Sequence, residues 1–307
     1  VGASLFCSLA LVGGLALADA PEVQSQAVIY GPVLGVTFNG PTGIAIDARR
    51  GEILVANTGD HRVEIYSLQG RLRAHFTHMV RNRAGNVVPG QPAALLIDAA
   101  GHTLVVDKLA TYVDVLDLRG RELARLDLAR PGAGCPPSNI VAGVVAAPSG
   151  EIFVASGDDT ARVYRFDAHY RFLGWWDAAG PKGNRLSGLR GIAALPDGRL
   201  VLTCGASKEV VRIFEPTGEY VSGFGNHEVG PGNFSNPSGV VTTADGRIWV
   251  CDEIRQSIQV FDTAGVFLGA PTGAGELNYP SALATDGQNY LAVTERAANR
   301  FQLLKIH

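Results

Sequence analysis

Six polar side chains recur at spacings of roughly 48 residues, each at the end of a short apolar run: Asn57, Asp107, Ser156, Cys204, Asp252 and Thr294. Brought to one centre, their carboxylate, amide and hydroxyl oxygens would suit a hard cation such as calcium. The same residue types also cap the turn that follows a strand, each bonding its own backbone. A single carboxylate per unit, facing its own turn, is what a repeated structural role produces, and no bound cofactor is expected on that reading. The alternative is a divalent-metal site for a lactonase- or esterase-like hydrolase, with calcium as its cofactor.

A second set of positions follows the start of each unit: Thr42, Ala93, Ala142, Arg190, Ser238 and Ser281. All are small except Arg190, which breaks the rule and would point into a shared opening. Arg81, Arg83, Lys182 and Arg185 fall in loops expected on the same side, and with Arg190 they would make a rim for a carboxylate, phosphate or acidic partner. Asp158, Asp159, Glu253 and Glu295 are expected in neighbouring loops and dilute that field. The candidate ligand-binding set is therefore Arg190, Arg185, Lys182, Arg81, Arg83, Asp107, Asp252 and Asn57, against the plainer reading of solvated loop charges.

No catalytic constellation stands out. G-x-S-x-G, P-loop and H-E-x-x-H patterns are absent. Gly223-Phe-Gly225 and Gly230-Pro-Gly232 sit in a strand connection, where no helix follows to hold a phosphate. His61, His75, His78, His102, His169, His227 and His307 occupy unlike repeat positions, as zinc ligands would not.

The elements that must position these residues are strands. The chain has 307 residues, with 46% apolar, 18% charged and 38 Gly, which favours many turns and short strands and excludes a disordered tail or coiled coil. A net charge of −3 favours neither nucleic acid nor an anionic membrane as partner. Leu5 to Leu17 is almost wholly apolar and ends in Ala16-Leu17-Ala18, the pattern of an export signal over residues 1–18, too short to span a bilayer. A periplasmic or secreted monomer, without membrane insertion after cleavage, is expected. Cys135, Cys204 and Cys251 then remain; a Cys204–Cys251 bridge competes with the reading of small buried thiols.

Pro41-Thr-Gly-Ile-Ala-Ile-Asp is echoed at 92, 141, 189, 237 and 280. After each start come a Gly turn, two β-branched apolar runs such as Ile53-Leu-Val-Ala and Val63-Glu-Ile-Tyr, a second polar turn and a fourth strand. Four short antiparallel strands per unit make a β-propeller blade. Six starts predict an all-β, six-bladed propeller over residues 22–307. The last unit ends after its third strand, so a leading strand at roughly 26–38 is expected to complete it and close the ring.

Pro-x-Gly-Ile-x-Ile-Asp followed by Asn57-Thr58-Gly59-Asp60-His61-Arg62 resembles NHL repeats, and the match is sharpest at 41–73 and 237–268. The chain is similar to an exported NHL-repeat protein of bacterial type. The resemblance implies a six-bladed propeller. In amidating-lyase relatives a His after the unit start helps hold zinc; none of the six positions is His here. The function expected is a non-enzymatic scaffold presenting loops and a channel mouth to a protein, peptide or glycan, not to nucleic acid.

Overall fold

The computed structural model describes residues 20–307 except 34, 83, 131, 133, 159 and 182–185. The proposed signal lies outside the described residues, as do Arg83, Lys182, Arg185 and Asp159. Among the described residues no helix is long and apolar enough to cross a membrane.

Six four-stranded antiparallel sheets make the blades, with a separate two-stranded hairpin between the first two. The innermost strands are Pro41–Asp47, Pro92–Ile97, Val141–Ala146, Leu189–Ala194, Pro237–Thr242 and Pro280–Thr285. They pack side by side around a central axis, and the last returns to the first. The Pro-x-Gly start has a physical cause. A Cβ on Gly43 would stand 2.5 Å from the Ala93 carbonyl oxygen, and one on Gly239 would stand 2.8 Å from Ala282 Cα. Neighbouring inner strands therefore touch backbone to backbone, and only glycine permits it.

The hydrophobic core is a ring of blade-to-blade interfaces. Six buried apolar clusters each draw on two adjacent blades. Large residues ending third strands dominate several of them. Tyr66 meets Phe38 and Phe301 between the first and last blades, while Phe214 meets Trp176 between the third and fourth. Each such side chain contributes roughly 1.5–3 kcal/mol on burial. Trp175, beside it, is only partly buried, 5.9 Å from the Arg162 guanidinium.

Ring closure uses the strand Val23–Ile29, which pairs antiparallel with Arg300–Ile306 from Val23↔Ile306 to Ile29↔Phe301. It lies earlier than the segment 26–38 expected from sequence. Residues 31–33 and 35–40 instead belong to an irregular connection in which Phe38 N donates to Tyr30 O at 2.8 Å. The apolar run through Val33 and Val36 imitates a strand, but both side chains stay exposed.

The two faces of the ring differ. One is built from tight turns in which an aspartate accepts backbone N–H groups two to four residues on, as Asp98, Asp117, Asp167 and Asp262 do. The other, the loop face, carries the connections between blades and between second and third strands. The hairpin Met79–Arg81 with Val87–Pro89, which the sequence pattern did not reveal, belongs to this face. Cys135, Cys204 and Cys251 are free thiols, the last two buried, so no Cys204–Cys251 bridge forms.

Candidate functional site

Register defines the polar ring. The first residue of each inner strand pairs with the last of the second: Pro41↔Asn57, Pro92↔Asp107, Val141↔Ser156, Leu189↔Cys204, Pro237↔Asp252 and Pro280↔Glu295. The sixth member is therefore Glu295, not Thr294. Thr294 takes the slot of Ala56, one residue inside the strand, and its hydroxyl lies 3.0 Å from Ser281 Oγ. The usual spacing of fifteen residues from the unit start would have found Glu295 in the sequence. Nor does Glu295 lie on a loop as expected; it is fully buried.

Each ring side chain is engaged close to home. Asn57 Oδ1 accepts from Asn39 N at 2.9 Å, while its Nδ2 donates to Glu64 Oε1 at 2.9 Å. Asp252 accepts from the backbone N–H groups of Ser235, Asn236 and Arg255 at 2.6, 3.1 and 3.0 Å. Glu295 accepts from Asn278 N at 2.6 Å and pairs with Arg300 at 2.8 Å. Ser156 Oγ accepts from Arg162 N at 3.0 Å. These residues anchor the chain entering their own blade or leaving the second strand. Among the described residues no three His, Cys, Asp or Glu side chains converge as a metal-holding group. The donor set is thus not assembled as one shared cation site.

Asp252→Ala removes the acceptor of three buried or half-buried N–H groups. The expected loss is about 3 kcal/mol, checked by urea denaturation; an unchanged midpoint would contradict the anchoring role.

Asp107 is held differently. Its Oδ1 accepts from Leu109 N at 2.9 Å, and its Oδ2 meets His78 Nδ1 at 2.9 Å. His78 Nε2 lies 3.0 Å from Asp114 Oδ2, and Arg125 Nε donates to Asp114 Oδ1 at 3.0 Å. All three of His78, Asp107 and Asp114 are buried. Burial pulls the imidazole pKa down, but the hydrogen bonds and charges of Asp107 and Asp114 outweigh it, and the value rises to about 9. The histidine therefore clamps the start of the extra hairpin to the second blade. Sequence gave no sign of this, because its partners lie 29 and 36 residues away.

The channel has three layers. A mouth cavity of about 140 Å³ on the loop face is lined by Thr42, Ala93, Ala142, Arg190 and Ser281. Ser238 is absent from this lining; its hydroxyl turns to the Pro280 carbonyl at 3.1 Å. Below comes an aliphatic girdle of Ile44, Leu95, Val144, Ile192, Val240 and Leu283, one per blade. A further cavity of about 280 Å³ opens past it toward the other face. Arg190 does reach the mouth, exposed, with its Nε 3.2 Å from where a Gly205 Cβ would stand. Arg81 does not join it; its Nη1 donates to Gly85 O at 2.7 Å within the hairpin.

These features define a six-bladed β-propeller with an open mouth on its loop face. The NHL repeat family matches residues 38–66 and 234–261, which places NHL repeats in the first and fifth blades of this propeller. Mouse NHL repeat-containing protein 3 is 26% identical over 280 residues, covering 87% of this chain. The chain spans 65% of the length of that relative. Among solved structures, a gluconolactonase from Xanthomonas campestris superposes with a TM-score of 0.64 at 17% identity, covering 94% of this chain and 95% of the other. A virginiamycin B lyase from Staphylococcus aureus does so with a TM-score of 0.59 at 14% identity, covering 93% and 99%. At such identities the likeness is one of fold.

Proposed function

We propose that this protein is a binding propeller whose loop face takes up a protein, peptide or glycan, with the channel mouth at its centre. The observation that carries this reading is the asymmetry of the two faces. Exposed large apolar side chains gather on the loop face, among them Tyr30, Met79, Val87, Val229, Ile254 and Tyr279. Val229 is 98% exposed and Ile254 61% exposed on connections between strands. Apolar groups left in water on the longer loops of a rigid scaffold mark a contact surface. The opposite face is made of short turns whose aspartates are engaged by their own backbone, and of the exposed large apolar residues only Leu118 and Val266 lie in those described turns. The apolar run 5–17 and its Ala16-Leu17-Ala18 ending support an exported location.

Arrays of peptides and glycans test the reading. A ligand captured by the chain is expected to be lost in V229D/I254D, both on the loop face, and kept in L123D on an outer strand. Calcium-dependent hydrolysis of a lactone, abolished by chelation, with no ligand retained on the arrays, would overturn it in favour of the hydrolase alternative.

A further inference from the structure

Ring register also identifies the slot that follows each polar-ring residue: Thr58, Lys108, Gly157, Gly205, Glu253 and Arg296. This slot faces the channel mouth. In the first blade Thr58 Oγ1 lies 2.7 Å from Thr42 Oγ1, a mouth-lining atom. In the fourth blade the slot is glycine, and the Arg190 guanidinium lies across it. In the second and sixth blades the slot holds Lys108 and Arg296. Lys108 N donates to Gln91 O at the entry to the second blade, and the Arg296 stem passes 4.0 Å from where a Gly40 Cβ would stand at the entry to the first. The second, fourth and sixth blades therefore each carry one cation at this face, Arg190 in the mouth lining and Lys108 and Arg296 one slot outside it, beside Ala93 and Ser281.

Lys108, Arg190 and Arg296 are exposed, and none forms an ion pair among the described residues. Burial of part of its stem and the Arg296 charge hold the Lys108 amine below the ordinary lysine range, opposed by Asp107. Two cations that raise each other's energy gain most from an anion placed between them. The acids nearby are mostly engaged: Glu253 accepts from Asn236 Nδ2 at 2.7 Å, and Asp60 is held by Asn57 and Arg62. Asp158, Glu228 and Glu276 are further described acids on the loop-face connections, while Glu209 pairs with Arg212. Small neighbours Ala93, Ala142 and Ser281 leave a mouth roomy enough for several waters, floored by the aliphatic girdle. Such a floor strengthens electrostatic attraction above it.

We infer that the loop-face mouth is an oxyanion site in which Lys108, Arg190 and Arg296 grip a compact doubly charged group, a phosphate or phosphate monoester. The inference rests on the loop face being the binding face and names the chemistry taken at its centre.

Calorimetry on the full chain with inorganic phosphate and, separately, glucose 6-phosphate tests it. Binding is expected to weaken with added salt and to fall roughly tenfold or more in K108Q/R296Q and in R190Q, but not in R119Q on the opposite face. Lys108→Arg is expected to retain binding. Tighter binding of the sugar phosphate would assign an ester as the natural source; equal binding would assign the free ion. NMR titration of the Lys108 amine is expected to show its pKa rising when phosphate is added. Absence of binding by wild type, or equal binding by K108Q/R296Q, overturns the site. If phosphate fails while V229D/I254D still loses an array ligand, the oxyanion site falls and the scaffold reading stands; the converse result separates them the other way.

Discussion

Deleting residues 20–30 is expected to abolish the single cooperative unfolding transition and to leave a chain that self-associates. The strand Val23–Ile29 is the outer strand of the last blade, yet it touches two interfaces. Val23 is buried in the cluster between the fifth and sixth blades, and Ile29 in the cluster between the sixth and first. Without it the backbone of Arg300–Ile306 becomes an exposed edge ready to pair with another chain. Both neighbouring interfaces also lose apolar cover, at roughly 1.5–3 kcal/mol for each buried aliphatic side chain. Calorimetry and size-exclusion chromatography check this. A truncated chain that stays monomeric and melts in one transition near the parent temperature would show that the ring closes without its latch.

His78→Leu is expected to cost about 3–5 kcal/mol, because it leaves Asp107 and Asp114 facing one another in a buried space. Arg125 still serves Asp114, but nothing on the hairpin side replaces the imidazole for Asp107. The wild-type pH dependence follows from the same geometry. A folded-state value near 9 against 6.5 unfolded corresponds to about 3 kcal/mol of stability. That stability is complete below pH 6.5, where both states carry the proton. It falls between 6.5 and 9, where only the folded state holds the proton, and is gone above 9. Urea midpoints measured from pH 6 to 9.5 should therefore drop in the wild type and stay flatter in His78→Leu. His78→Gln with Asp114→Asn, which removes charge from both sides, should recover part of the loss. Parallel pH profiles for wild type and His78→Leu would refute the clamp.

Much of this architecture was legible in the chain because it rests on local properties. Alternation of apolar residues with period two, β-branched runs and Gly or Asp turns are each set within a dozen residues. Their recurrence at 41, 92, 141, 189, 237 and 280 marks the six inner strands directly. The leading strand was legible in kind but displaced in position, since burial rather than hydrophobicity decides which apolar run pairs. Glu295 was missed by a single residue for a related reason: the second strand of the last blade ends in Val-Thr-Glu, and composition alone favours the Thr.

What the chain alone could not show were the meetings between blades. His78 finds its carboxylates only when the hairpin packs on the second blade, and Lys108 comes within electrostatic reach of Arg296 only when the ring has closed. Arg190 was visible as an exception to a run of small residues, but its companions at the mouth were not. Nothing in the local sequence distinguishes Lys108 or Arg296 from any other charged turn residue. Local backbone preference determines strands and turns; which side chains share a site depends on the rotation from one blade to the next, a property of the packed interfaces and the closed ring.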